Sequence, residues 1–263
     1  MTDSAEIGII GGTGVYDPEI LEDSREIKVH TPYGETSDFI TIGYINGRKT
    51  AFIPRHGKGH RIAPHLINAR ANIWSLKHLG VTTILAPSAV GSLKENLSPG
   101  HIVLPDQFID RTKSRTSTFY EGSQVCHIST ADPFCDQLLE IIHTAGSNLG
   151  LLIQKGGTYV CVEGPRFSTR AESKLFKSWG ADIIGMTLIP ECVLAREAEM
   201  CYASIATVTD YDVWADKPVS CQEVIETSKK NVKNIKFILR KVISRIPDER
   251  ICSCKDALKD ALL

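Results

Sequence analysis

Short apolar runs alternate with amphipathic stretches along this chain. "EIGIIGG" (6–12) is a continuous apolar run closed by glycines, the pattern of a buried strand ending in a tight turn. "DFITIGYINGRKTAFIPRHG" (38–57) carries β-rich runs on both sides of Asn46-Gly47, which predicts a hairpin with a two-residue turn. Residues 65–79 repeat apolar side chains at helical spacing and stop at Gly80, and "VTTILAPSAVG" (81–91) follows as a buried strand. Residues 134–149 predict a helix ending at Gly150. "GGTYVCVEGPRF" (156–167) reads as a strand running into a loop, and 169–179 as a helix ending at Gly180. Pro190 is placed to open another helix at its first position. "CYASIATVTD" (201–210) is then a strand, and 220–243 a long helix before a polar tail from about 245 to 263.

Three helices thus end in a glycine followed at once by a strand, the usual punctuation of an αβ connection. The pattern predicts one α/β domain over 1–263, with a largely parallel or mixed sheet flanked by helices. Neither an internal repeat nor a low-complexity linker interrupts it. Residues 106–130 are the one long polar stretch, and such a loop in a compact domain usually serves function or a subunit contact.

Composition narrows the classes. A chain of 263 residues with 42% apolar and 23% charged residues can bury a substantial core. Its formal net charge of −1 argues against a nucleic-acid binder, which shows a basic face. No apolar run approaches the roughly 18 residues that span a bilayer. The start, "MTDSAEIGIIGG", has no basic segment followed by an apolar one, so a cytoplasmic location is expected. Eight cysteines are spread along the chain, close together only at Cys252 and Cys254. Half or more of them read as small buried hydrophobes. Without a CxxC…CxxC pair no metal site is expected. Disulfides inside a cell would point to a hyperthermophile, and that option stays open without a pairing.

Candidate chemistry gathers at strand ends. "GGTG" (Gly11 to Gly14) can cradle an anion on backbone N–H groups, with Thr13 adding a hydroxyl, or can be a plain turn. It fits neither the dinucleotide fingerprint nor the P-loop. "PRHGKGHRIAPH" (54–65) sets Arg55 beside His56; an arginine fork matches two phosphate oxygens, although a basic surface loop would look similar. "SAVGSL" (88–93) offers Ser88 and Ala89, and "GMT" (185–187) offers Thr187. Each alone is bland. Together they make a phosphate cradle at the carboxyl ends of strands, where open α/β sheets place ligands. "EGPRFSTRAE" (163–172) adds Phe167, an aromatic in a loop or in the core. "ATVTDYDVWAD" (206–216) adds Asp210 and Asp212, read either as solvated strand-end residues or as carboxylates aimed at a ligand.

With GGTG, PRHG, EGPRFS, MT and TDYD in this order, the sequence resembles the purine nucleoside phosphorylase family, and most closely its S-methyl-5′-thioadenosine phosphorylase branch. The likeness runs from about residue 6 to about 240, and "GIIGGTG", "DQFIDRT", "EGPRFSTRAES" and "ASIATVTDYD" are its specific parts. It implies an α/β fold around a central mixed, partly barrel-like sheet, working as a trimer or dimer of trimers. It implies phosphorolysis of an N-glycosidic bond, with inorganic phosphate as co-substrate and no cofactor. By motif, Thr13, Arg55, His56, Ser88, Ala89 and Thr187 form the phosphate site; the family often has Thr where Ser88 stands. Met186 lies under the ribose. Phe167, Ser168 and the Asp210-Tyr211-Asp212 segment hold the base. Cys221, Val224 and Ile225 wall the 5′ substituent, and His127 reaches a neighbouring subunit's site. The Cys-x-Cys tail resembles thermophilic archaeal members that form disulfides in the cell.

The base follows from hydrogen bonding. Adenine offers N7 as acceptor and its 6-amino group as donor. A carboxylic acid can donate to N7, and a carboxylate can accept from the amino group. Two residues at i and i+2 of a strand face the same side. Asp210 and Asp212 are therefore expected to address one base edge, with Tyr211 turned away to pack. Members that prefer 6-oxopurines resemble one another in having Asn at the first position and Glu after the aromatic, where this chain has Asp210 and Ser168. Adenine is the expected base, Asp210 the expected general acid at N7, and Asp212 its support. An apolar wall discriminates the 5′ group by only about 1–3 kcal/mol, so some adenosine turnover is expected. The alternatives are a phosphorylase of 6-oxopurine nucleosides or S-methyl-5′-thioinosine, disfavoured by Asp210 and Ser168, and a non-catalytic nucleoside binder, disfavoured by the full phosphate set.

Overall fold

The apolar runs assemble into one mixed sheet in the computed structural model, which describes residues 3–12, 15, 18–215 and 219–263. Its strands are β1 (Ile7–Gly11), β2 (Glu22–Ile27), β3 (Ile40–Ile45), β4 (Arg48–Pro54), β5 (Thr83–Ser92), β6 (Ile102–Leu104), β7 (Gln107–Arg111), β8 (Ile153–Lys155), β9 (Thr158–Val162), β10 (Ile183–Gly185) and β11 (Cys201–Asp210). The helices are α1 (Ala69–His78), α2 (Asp136–Asn148), α3 (Arg170–Ser178), α4 (Leu188–Glu197) and α5 (Cys221–Ile243). Among the described residues, no helix is long and apolar enough to cross a membrane.

β1, β4, β5 and β11 run parallel and are buried along most of their length, as continuous apolar runs require. β5 is the branch point. It pairs with β1 over Thr83–Leu85, with β11 over Thr83–Gly91, and with antiparallel β10 at Gly91 and Ser92. Pairing with β1 stops short of Pro87, which has no N–H to give. Beyond its pairing with β1, two arms leave β5, one through β10, β9 and β7 and one through β11, β6 and β8, and among the described residues the sheet does not close. α4 and α5 pack on β11, and α2 packs on β8 and α5.

Local chemistry sets the element ends. The hairpin turns through Asn46 and Gly47, both at positive φ (50° and 76°), as a type I′ turn demands. Gly80, Gly150 and Gly180 each stop a helix in the left-handed conformation. The helix expected over 65–79 starts later. Pro64–Leu66 is a 3₁₀ turn, and Asn68 caps α1 by accepting from the Ala71 amide at 3.1 Å. Ile189 is extended (φ −102°, ψ 131°), so the regular part of α4 begins at Pro190.

Four strands, β2, β6, β7 and β8, escape the sequence pattern. β2 reads EDSREI and is mostly exposed, and β6 and β8 are three residues each, too short to show a period. The polar stretch 106–130 is not all loop. Its start is β7, parallel to β9 at the end of an arm, where one unpaired side tolerates polar residues. The tail is not free either. Leu262 bridges Cys126, and the His127 amide donates to Ala261 O at 2.7 Å. All eight cysteines are free thiols in this structure.

Candidate active site

The carboxyl ends of β4, β5, β10 and β11 open into a cleft of about 790 Å³, whose far wall is the first two turns of α5. His56, Ala89, Met186, Thr187, Phe167, Ser168, Asp210, Asp212, Cys221, Val224 and Ile225 all line it. The hairpin, the branch point and two loops thus bring together most of the positions singled out in sequence. Thr13 lies outside the described residues. Arg55 and Ser88 stand just behind the lining, both buried.

Arg55 is 1% exposed. Its Nε and Nη2 donate to the two Glu191 oxygens at 2.5 and 3.0 Å, and Nη1 donates to Pro87 O at 2.9 Å. That carbonyl is available because the sheet splits at Pro87. Tyr202 Oη donates to the same Glu191 carboxylate at 3.0 Å. Burial alone would lower the arginine pKa, but the facing Glu191 charge holds it above the ordinary value. A Cβ on Gly12 would lie 2.6 Å from Arg55 Nη1 and 2.4 Å from Pro87 O, so only glycine admits the guanidinium there. His56 is neutral. Burial, then His60 stacked on it at 4.1 Å, push its pKa down to about 3, and its Nδ1 bonds Ile62 O at 2.9 Å. Ser88 Oγ is buried without a hydrogen-bond partner among the described residues, a position that a ligand oxygen would satisfy.

At the other end, Asp210 closes β11 and is 7% exposed. Thr209 Oγ1 donates to its Oδ2 at 2.7 Å and the Asp212 amide to its Oδ1 at 2.8 Å. Burial nonetheless outweighs these donors and pushes its pKa up to about 6. Asp212 is buried as well, its pKa also raised by desolvation, with Oδ2 lacking a hydrogen-bond partner among the described residues. The pair shares the cleft for a different reason than strand alternation. The β11 register slips between Val208 and Asp210, the strand stops there, and Asp212 begins a 3₁₀ turn at φ 49°. Its amide, folded back onto Asp210, aims both carboxyls at one place. Gly91 leaves them room, since a Cβ there would meet Asp210 Oδ1 at 2.9 Å. Tyr211 is outside the lining and packs edge-on against Trp214.

The loop carrying Phe167 and Ser168 is pinned from both sides. Thr169 and Glu172 form a reciprocal cap on α3, and Arg166 forks onto Glu172 at 2.7 Å twice. Among the described residues, the one grouping of metal-ligand type lies away from this cleft.

A model of the phosphorylase superfamily matches residues 6–244. The chain belongs to the phosphorylase superfamily. It is 61% identical over 261 residues to the S-methyl-5′-thioadenosine phosphorylase of Nitrosopumilus maritimus (strain SCM1), covering 99% of each chain. A methylthioadenosine phosphorylase from an antarctic soil metagenomic library superposes with a TM-score of 0.93 at 45% identity, over 99% of this chain and 93% of that one. The methylthioadenosine phosphorylase of Schistosoma mansoni in complex with adenine gives 0.92 at 39% identity, over 97% and 96%.

In this phosphorylase-superfamily chain several residues that shape the site escape a sequence reading. Glu191, which holds Arg55, and Tyr202, which donates to Glu191, sit on α4 and β11, far from Arg55 in sequence. Arg115, in the polar stretch, donates through Nη1 to Met186 O at 2.7 Å and Ile189 O at 2.5 Å, and through Nη2 to Glu163 O at 2.6 Å. It ties the segment before Phe167 to the segment carrying Met186 and Thr187. A basic residue inside the long polar stretch was the available signal. His127 is exposed and is not among the residues that line the cleft; its amide donates to Ala261 O in the tail.

Proposed function

We propose that this protein cleaves S-methyl-5′-thioadenosine with inorganic phosphate, giving adenine and 5-methylthioribose 1-phosphate. The observation that carries the reading is the Asp210–Asp212 pair, two buried carboxyls with raised pKa values at one end of the cleft. A group near pKa 6 can hold a proton for N7, while a second carboxylate accepts from the 6-amino group. Ser168 beside them presents no carboxylate to N1. The names of the relatives support the same substrate.

In the mechanism we propose, the C1′–N9 bond stretches first and the ribose becomes oxocarbenium-like, as in glycoside hydrolysis. Phosphate attacks C1′ from the opposite face, held by Thr13, Arg55, His56, Ser88, Ala89 and Thr187. Neutral His56 can accept a hydrogen bond from a protonated phosphate oxygen, and buried Arg55 supplies fixed positive charge. Asp210 delivers its proton to N7, so adenine leaves uncharged. Met186 lies under the sugar, Phe167 on the base, and Cys221, Val224 and Ile225 beside the methylthio group. The whole chain acts as one catalytic domain without a cofactor, in the cytoplasm, as a trimer or dimer of trimers in which His127 completes a neighbour's site.

The test is adenine release from methylthioadenosine with and without phosphate, followed by a panel of adenosine, inosine and methylthioinosine. Strict phosphate dependence with preference for the 6-amino nucleosides is expected. Release without phosphate would make the enzyme a hydrolase, and preference for the 6-oxo nucleosides would sink the role given to the carboxylate pair.

A further inference from the structure

Cys135, Cys201, Cys252 and Cys254 come from three separate parts of the chain, yet their Sγ atoms all lie within 4.8 Å of one another. Cys135 precedes α2, and its amide donates to Tyr202 O at 3.1 Å. Cys201 opens β11. Cys252 and Cys254 bracket Ser253 at the start of the tail's 3₁₀ turn (Ser253–Asp256). Three of the four are buried and Cys252 is half-buried. None lines the catalytic cleft.

The arrangement is mutual rather than pairwise. Cys135 is in hydrogen-bond reach of both Cys201 and Cys254, and Cys252 reaches Cys254 and also Cys201, the latter at 3.3 Å. Two disulfides would need two close pairs and no more. A four-coordinate ion needs every sulfur near every other. With metal–sulfur bonds of about 2.3 Å, a tetrahedral site sets its sulfurs about 3.8 Å apart, within the spread of this cluster. Four cysteine sulfurs with no oxygen ligand suit a soft or borderline ion. Arg250 lines the small cavity beside Cys135 and Cys201.

We infer that this cluster is a structural Zn²⁺ site that fastens the C-terminal tail to β11 and α2. Each thiol gives its proton to water as its sulfur lone pair goes to the ion, and no electron is transferred. The missing CxxC pair argues against zinc only for ligands supplied by one local loop; here the tail closes onto a strand and a helix start. Binding would reinforce a tail otherwise fastened near its end by the Cys126–Leu262 bridge and the backbone bonds of His127 and Leu263.

The experiment uses the full chain purified anaerobically with reductant. Elemental analysis is expected to give about one zinc per chain, released when the thiols are titrated with a mercurial. Replacing zinc with Co²⁺ should produce intense thiolate-to-cobalt charge-transfer absorption and the visible bands of a tetrahedral ion. The Cys252→Ser/Cys254→Ser double variant should lose the metal, keep phosphorolysis within about threefold, and release the tail to limited proteolysis at lower protease. Zinc far below one per chain, with no cobalt spectrum on the wild-type protein, would overturn the assignment. So would an intact mass lowered by the hydrogens of two disulfides in protein purified without reductant and lacking zinc.

Discussion

Replacing Asp210 by Asn separates what this carboxyl does for the reaction from what it does to the fold. The new side chain can keep the local bonds. Asn Oδ1 would accept from the Asp212 amide, its Nδ2 would donate to Thr209 Oγ1, and that hydroxyl already reaches Val90 O at 3.2 Å as an alternative acceptor. What goes is the transferable proton. General acid help is worth roughly 10²–10⁴-fold, so kcat on methylthioadenosine should fall by that factor, about 3–5 kcal/mol of transition-state stabilisation. With the pKa pushed up to about 6, the wild-type kcat/KM should decline above pH 6 as Asp210 ionises, and the variant's profile should lose that limb.

Stability should move the other way. A carboxyl whose folded pKa is raised is a liability above its unfolded value. Below pH 3.8 both states hold the proton and there is no cost. Between 3.8 and about 6 the unfolded chain ionises while the folded one does not, and above 6 the cost is complete. At about 1.4 kcal/mol per pH unit this amounts to on the order of 3 kcal/mol. The variant should therefore gain about 1–3 kcal/mol at pH 8, a rise in Tm of roughly 2–6 °C for a chain of this size, shrinking to nothing near pH 4. Differential scanning calorimetry at pH 4, 6 and 8, beside steady-state adenine release, reads both effects. Activity within tenfold of wild type, or a variant less stable by the same amount at every pH, would refute the reasoning.

Three further substitutions probe the rest of the site. Glu191→Gln leaves Arg55 charged and buried without its counter-charge, so calorimetry should show a loss of about 3–5 kcal/mol, with KM for phosphate raised more than KM for the nucleoside. Arg115→Ala unties the Phe167 and Met186 segments; misplacement of about 1 Å can cost roughly 10²-fold in kcat/KM, and Lys, which lacks the planar fork, should not restore it in steady-state assays. Ser168→Glu combined with Asp210→Asn should swing the ratio of methylthioinosine to methylthioadenosine turnover by about 10² or more, and an unchanged ratio would show that the base is chosen elsewhere.

The α/β class, the hairpin and the glycine-ended helices were legible in the sequence as local matters of period, turn chemistry and side-chain type, carried by neighbouring residues. Most of the positions expected to line the cleft came instead from the likeness of the motifs to the phosphorylase family. How those residues meet is a matter of the fold. Asp210 and Asp212 face together because β11 ends in a register slip and a 3₁₀ turn, not because a strand alternates. Arg55 is held by Glu191, 136 positions on, which Tyr202, 147 positions on, braces in turn, a set that depends on where α4 and β11 fall against β4. Four cysteines converge because the tail folds back onto β11 and α2. Contacts of that kind are fixed by chain topology and by the burial of unlike segments against one another, and no local pattern records them.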